Sequence, residues 1–422
     1  MQPSTLSGSG LSDLCAQRAS RMAASEIREL LKILERPGLI SFAGGIPDPA
    51  LFDVEAFRTA YAGALARPEA AAAALQYSTS EGYLPLRRWI AAHMARSGVD
   101  CTPDNILITS GSQQAIELIG KLFIDEGDTL LTAAPTYLGA LQAFAPNGPR
   151  YDTLGDNVTA AVHRARAEAA GSRVKLIYLV PDFANPSGDT LSLAERARIV
   201  DMAAELGCLI VEDGAYTALR YGGEELPPIA ALDARRAGSV DAGRTLYCGT
   251  FSKTLSPALR VGWICGPRET MQRLTLAKQA ADLHSATINQ VAMHAVAEAC
   301  YDDRVAAARH QYRIRRDAML AALDRHAPPG MDWTRPDGGL FVWVTLPPGV
   351  DGRRLLKRAI EEANIAFVPG RAFFAEEPQD NTLRLSFSLA DPARIETGME
   401  RLCDLIRSEV AALRAVPDAV PA

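Results

Sequence analysis

Short apolar runs punctuate the middle of the chain, at residues 105–109, 129–132, 174–180, 208–211, 245–248 and 261–265, each rich in Val, Ile, Leu or Tyr. Runs of this length, bounded by turn residues, predict buried strands. Between several of them apolar positions recur at helical spacing, as in 113–123 and 193–206. Strand and helix in alternation predict a mostly parallel sheet with helices on both faces. The pattern changes near residue 301. A long helical stretch runs through Arg316, strands follow at 340–345 and 383–388, and a last helix fills 392–413. At the other end, residues 1 to about 13 are rich in Ser and Gly, which predicts a flexible arm. Met22, Ile27, Leu30, Leu31 and Leu34 then lie at roughly helical spacing, and Pro37-Gly38 ends that helix. The expected division is an arm over 1–18, a segment over 19–50 joining the smaller domain, a large domain over 51–300 and a smaller α/β domain over 301–422.

Length agrees: 422 residues exceed what one compact core usually holds. The formal net charge of -6 argues against a nucleic-acid or anionic-membrane partner but leaves room for a local anion pocket. No basic-then-apolar leader opens the sequence and no apolar run spans a bilayer. The seven cysteines are scattered, with no Cys-x-x-Cys pair, as expected of free thiols in a reducing cytoplasm. The histidines show no metal-ligand spacing, so no metal is expected.

Ligands of open α/β sheets sit beyond the carboxyl ends of the strands, so the residues just past each run carry the most information. After 105–109 comes Ser110-Gly111-Ser112-Gln113-Gln114, which opens a helix. Small residues there suit a phosphate, and equally an ordinary helix start. After 174–180 comes Pro181-Asp182-Phe183-Ala184-Asn185-Pro186-Ser187-Gly188, a turn by composition. After 208–211 comes Glu212-Asp213-Gly214-Ala215-Tyr216, where a carboxylate either caps a helix or meets a partner. After 245–248 comes Gly249-Thr250-Phe251-Ser252-Lys253-Thr254, a lysine among hydroxyls, with Arg260 further on. Each segment alone has a plain structural reading. Together they offer a phosphate cradle, an amine nucleophile, a carboxylate and hydrogen-bonding Asn and Tyr groups, the set that pyridoxal phosphate requires.

Here the chain resembles the class I/II aminotransferases of the fold type I pyridoxal phosphate enzymes, and within them the 2-aminoadipate and kynurenine aminotransferase-like subgroup. The likeness runs from about Ser25 to Ser388. It is carried by Ser25-Glu26-Ile27-Arg28, Ala43-Gly44-Gly45-Ile46-Pro47, Gln76-Tyr77-Ser78, Thr109-Ser110-Gly111-Ser112-Gln113-Gln114 and Pro135-Thr136-Tyr137. Asn185-Pro186-Ser187-Gly188, Glu212-Asp213, Phe251-Ser252-Lys253, Leu259-Arg260-Val261-Gly262, Pro336-Asp337-Gly338-Gly339 and Leu383-Arg384-Leu385-Ser386 continue it in order. The resemblance implies a seven-stranded, mostly parallel mixed sheet in the large domain and a homodimer with composite sites. It also implies amino transfer from a 2-aminoadipate, aromatic or large aliphatic amino acid to a 2-oxo acid such as 2-oxoglutarate. The cofactor would cycle through pyridoxamine phosphate in a ping-pong mechanism.

Residue by residue, the resemblance makes Lys253 the site of the internal aldimine and the carrier of the α-proton. Asp213 pairs with the pyridine nitrogen, Asn185 and Tyr216 meet the phenolic oxygen, and Tyr137 stacks on the ring. Ser112, Gln113, Thr250, Ser252, Arg260 and Tyr77 hold the phosphate, Tyr77 from the other subunit. Arg384 takes the substrate α-carboxylate, with Gly45 and Arg28 near its side chain. Ala184 departs from the polar residue common before Asn-Pro, and Thr250 stands where serine is common. The same fold also hosts β-lyases, decarboxylases and oxidases; an arginine for the α-carboxylate argues against decarboxylation. A sensing domain of a transcription regulator is the non-enzymatic alternative, disfavoured by the roughly 20 residues that precede the likeness. No Gly-x-Gly-x-x-Gly comes after a strand, which disfavours a nicotinamide dehydrogenase.

Overall fold

The computed structural model describes residues 14–22 and 38–415. Thirteen strands are described, named here in chain order. β1 is Ile40–Ser41, β2 Ile106–Thr109, β3 Thr129–Thr132, β4 Arg150–Thr153, β5 Val174–Leu179, β6 Leu209–Asp213, β7 Thr245–Thr250 and β8 Gly262–Cys265. β9 Asp332–Trp333, β10 Phe341–Thr345, β11 Ile365–Ala366, β12 Val368–Pro369 and β13 Thr382–Ser386 complete them.

Strands β2 to β8 form one seven-stranded sheet in the order β2-β8-β7-β6-β5-β3-β4. β8 runs antiparallel to both β2 and β7, and the other pairings are parallel. The apolar runs are continuous because both faces are buried. Leu107, Leu130, Leu176, Val211, Leu246 and Ile264 enter one core. Ile106, Ile108, Tyr247 and Trp263 enter a second, and Leu131, Ile177 and Ile210 a third. Each such side chain contributes roughly 1.5–3 kcal/mol by leaving water.

The helices obey local rules. Helix Leu193–Leu206 starts at a Ser192/Glu195 capping box and stops at Gly207, which takes φ 67°. Helix Ser112–Phe123 turns Ala115, Ile116, Leu118 and Ile119 inward.

A second, smaller layer is antiparallel, in the order β12-β13-β10-β9, and β1 pairs in parallel with β11. Two features differ from the pattern expected at the outset. β4, Arg-Tyr-Asp-Thr, carries no apolar run; it is an edge strand, half-exposed and held by β3. The long helix begins at Thr287 and reaches His326, with a break in helical geometry at Cys300. Gln17–Arg21 form a short 3-10 turn, and of the helix expected ahead of Pro37-Gly38, residues 23–34 lie outside the described residues. Cys208, Cys248, Cys265 and Cys403 are buried and carry no disulfide. Among the described residues no helix is long and apolar enough to cross a membrane.

Candidate active site

The carboxyl ends of β2, β5, β6 and β7 converge on one cleft, and a fifth element, β13, comes to it from the smaller layer. Asp213 ends β6 and is buried. Its Oδ2 accepts a 2.9 Å hydrogen bond from the Tyr178 hydroxyl, and its Oδ1 accepts from the Ala215 amide at 3.3 Å. Burial raises its pKa to about 6, against the pull of Tyr178, the Ala215 N–H and Lys253. The neighbouring Glu212 points to the opposite face. It accepts from the amides of Ile229 and Ala230, both at 2.8 Å, at the start of helix Ile229–Ala237. Of the two adjacent carboxylates, Glu212 is therefore the helix cap and Asp213 the one that faces the cleft.

Lys253 lies just beyond β7, and its Nζ donates to the Gly45 carbonyl at 2.9 Å. The amine also lies 5.8 Å from the centre of the Tyr216 ring. Burial, then Arg384 and Arg260, lower its pKa to about 8, while Asp213 opposes them. A lysine so placed has a substantial unprotonated fraction near neutral pH.

Arg384 lies in the middle of β13 and is 2% exposed. Its Nη1 donates to Asn185 Oδ1 at 2.7 Å and its Nη2 to the Ala43 carbonyl at 2.8 Å. The guanidinium sits 4.1 Å from the centre of the Phe341 ring and 5.1 Å from that of Phe373. Among the described residues it has no carboxylate partner, and its Nε, though buried, has no hydrogen-bond partner. Burial pulls its pKa down to about 10. A buried cation without an acid is costly, and an anionic ligand would supply the missing charge.

The start of helix Ser112–Phe123 has features that suit a second anion. Gly111, at φ 80°, precedes it with no side-chain cap, and no acidic residue occupies the first turn. A side chain at Gly111 would overlap the Arg260 guanidinium, and one at Gly262 would come within 2.7 Å of the Ser112 nitrogen. Arg260, at φ 56°, donates to the Ser110 carbonyl at 3.1 Å and has no carboxylate partner among the described residues. Close by, the Thr250 hydroxyl donates to Ser252 Oγ at 2.9 Å. A helix start with a glycine before it and no capping side chain, beside an arginine that has no acid partner among the described residues, fits a phosphate group.

Tyr137 and Tyr216 wall the space between these sites. The Tyr137 hydroxyl donates to Gln113 Oε1 at 3.2 Å. Burial pushes Tyr137 up to about 12, and Asp213, Arg384 and Arg260 all act on it. Burial lifts Tyr216 further, opposed in part by a hydrogen bond with the Asn185 side chain. Thus hydrogen bonds and charge interactions join Lys253, Asp213, Asn185, Tyr216, Tyr137, Gln113, Arg260, Arg384 and Gly45 around one cleft, while Ser112 and Thr250 adjoin Gly262 and Ser252 bonds Thr250. Tyr77 does not join them: it is 79% exposed, its ring edge-on to His284. Arg28 lies outside the described residues. Sequence reasoning had not assigned Tyr178, the Phe341 and Phe373 rings under Arg384, or the Ala43 carbonyl. Only strand pairing and the approach of the two layers bring them in.

The site meets its family here. The family model of the class I and II aminotransferases matches residues 53–402, and the chain belongs to that family. A 2-aminoadipate transaminase of Thermus thermophilus is 43% identical over 396 residues, 93% of this chain and 96% of the relative. An aromatic-amino-acid aminotransferase of Thermococcus litoralis is 41% identical over 403 residues, 94% of each chain. The crystal structure of alpha-aminoadipate aminotransferase from Thermus thermophilus, complexed with N-(5'-phosphopyridoxyl)-L-leucine, matches with a TM-score of 0.85 at 41% identity. It covers 96% of this chain and 100% of that one.

Proposed function

We propose that this transaminase uses pyridoxal phosphate, held covalently by Lys253, to move the amino group of an L-amino acid to a 2-oxo acid. The donor is of the 2-aminoadipate, aromatic or large aliphatic type, the acceptor is 2-oxoglutarate, and the two half-reactions share one site in ping-pong order. The observation that carries this reading is the facing pair in one cleft: a desolvated amine and a buried carboxylate, flanked by a guanidinium that lacks an anion. The chemistry of the relatives and the phosphopyridoxyl ligand of the comparison structure agree with it.

When bound, the cofactor supplies an electron sink for the charge left at the amino acid's α-carbon. The rest falls to the protein. Lys253, with its pKa near 8, supplies a free amine for attachment and then carries the α-proton. Asp213 offers its free lone pairs to the ring nitrogen. Asn185 and Tyr216 hold the phenolic oxygen, and Tyr137 covers the ring. Ser112, Gln113, Thr250, Ser252 and Arg260 receive the phosphate. Arg384, lying against the Phe341 and Phe373 rings, takes the α-carboxylate through its planar fork. Gly45 and Arg28 border the substrate side chain.

The reading includes a homodimer in which Tyr77 of the partner subunit completes the phosphate site. The exposure of Tyr77 beside the exposed Leu75, and its approach to His284 next to the exposed Leu283, support this.

The decisive experiment gives the purified protein an amino acid alone. Transamination converts the cofactor's aldehyde absorbance to that of a stable amine and releases one equivalent of 2-oxo acid. Release of ammonia or carbon dioxide with the aldehyde form regained would favour a lyase or decarboxylase instead; consumption of oxygen would favour an oxidase.

A further inference from the structure

We propose that Tyr178 is a positioning residue: its hydroxyl pins one oxygen of Asp213 and holds that carboxylate, ionised, toward the ring nitrogen of the bound cofactor. The inference rests on the role of Asp213 proposed above and adds to it the residue that makes the role possible.

The placement comes from sheet register. Tyr178 on β5 lies opposite Val211 on β6. Asp213 is two residues further along β6, on the same face, and the long tyrosine side chain spans that diagonal. The hydroxyl donates at 2.9 Å to Asp213 Oδ2. The Tyr178 ring is fully buried and is steadied by Phe144, edge-on at 5.8 Å. Around the carboxylate stand the Cys248 thiol from β7, the Lys253 amine beyond it, Tyr137 and Tyr216. Among the described residues Tyr178 is the one side chain that hydrogen-bonds to Asp213.

The energetics point the same way. Burial alone drives Asp213 toward its neutral acid. A protonated Asp213 could not accept a proton-bearing ring nitrogen as an ionic partner. A hydrogen bond to the carboxylate favours its charged form, and one to a charged group is stronger than one between neutral groups. Tyr178 is suited to donate at any working pH, because burial and the Asp213 charge push its own pKa well above 10.0. The bond also settles orientation. With Oδ2 committed to Tyr178 and Oδ1 held only by a 3.3 Å contact with the Ala215 amide, the carboxylate cannot rotate freely.

The test is Tyr178→Phe in the holoenzyme, loaded with pyridoxal phosphate labelled with nitrogen-15 in the ring. Removing the hydroxyl raises the proton affinity of Asp213. The proton then passes from the ring nitrogen to the carboxylate. The nitrogen-15 resonance should move from the pyridinium toward the neutral-pyridine range, and kcat should fall about ten- to a hundredfold, one charge-assisted hydrogen bond. KM for the amino acid should change less than twofold, since Tyr178 does not line the substrate cleft. An unmoved resonance overturns the proposal, even if the variant is less stable to heat, because a merely structural tyrosine would give that pattern. Asp213→Asn, measured alongside, separates the two levels. If it leaves the resonance and turnover unchanged, the assignment of Asp213 is what fails, and that of Tyr178 falls with it.

Discussion

Replacing Arg384 with Met separates a structural arginine from one that waits for a ligand. Met keeps the length of the aliphatic stem and its contact with Phe341 and Phe373, and removes the charge. In the free protein the guanidinium, drawn from 12.5 to about 10 by burial, carries a cost of about 3 kcal/mol at about 1.36 kcal/mol per tenfold change. Losing it relieves that cost. Against this, Asn185 Oδ1 and the Ala43 carbonyl lose their donors, at roughly 1–3 kcal/mol each. The two contributions nearly cancel, so unfolding stability should change by less than about 2 kcal/mol. Catalysis should not be spared. A two-pronged bond to a carboxylate is worth two charge-assisted hydrogen bonds, roughly 3–6 kcal/mol together. Arg384→Met should therefore lower kcat/KM for the amino acid about 10²–10⁴-fold. Urea unfolding and a stopped-flow half-reaction on the same preparation read both numbers. A stability loss of about 3–5 kcal/mol, the cost of breaking a buried ion pair, with kcat/KM reduced less than tenfold, would refute the assignment.

Four further outcomes are expected. Borohydride reduction and peptide mapping should place the phosphopyridoxyl label on Lys253, and reloading of cofactor-free protein should quicken as pH rises through about 8, since only the unprotonated amine attacks; an apparent pKa at 10.5 would contradict the desolvated amine. Gly111→Ala, at φ 80° and against Arg260, should weaken cofactor binding in equilibrium dialysis by about tenfold or more; unchanged affinity would show that the helix start is not the phosphate site. Lys278→Met should cost roughly 2–4 kcal/mol in urea unfolding, because the buried Lys278 Nζ bonds Asp282 at 2.7 Å, Gln114 at 3.0 Å and Ser285 at 3.0 Å; a loss under about 1 kcal/mol would show the network to be idle. Mixing a Lys253→Ala chain with a Tyr77 variant that loses cofactor should regain up to half the normal activity per mixed dimer, one site then being intact; no recovery would mean that Tyr77 serves its own chain.

What could be read locally was read from local causes. Helix Leu193–Leu206 is announced by its capping box and its terminal glycine, and β3, Thr129–Thr132, by four buried positions in a row. The ordered markers from Gly45 to Arg384 carried the family, because backbone turns and helix starts that receive a phosphate need particular small residues at particular places. β4 escaped because its Arg-Tyr-Asp-Thr sequence has no strand pattern of its own; pairing with β3 makes it a strand. The break at Cys300 leaves no proline or glycine as a sign.

The chemistry of the site divides along the same line. The sequence by itself determined which side chains are available: an amine after one strand, two adjacent carboxylates after another, an arginine near the end. Alternation along β6 also required Glu212 and Asp213 to face opposite ways. Only the tertiary structure decided which of them caps helix Ile229–Ala237 and which enters the cleft. It likewise decided that Tyr178 reaches Asp213, that Arg384 from β13 meets Asn185 from beyond β5, and that Lys253 is desolvated enough to lose its proton near pH 8. Secondary structure answers to neighbours a few residues away. Burial, charge pairing and proton affinity answer to residues brought together from distant parts of the chain, and these exist only once the sheet has its register and the two layers have met.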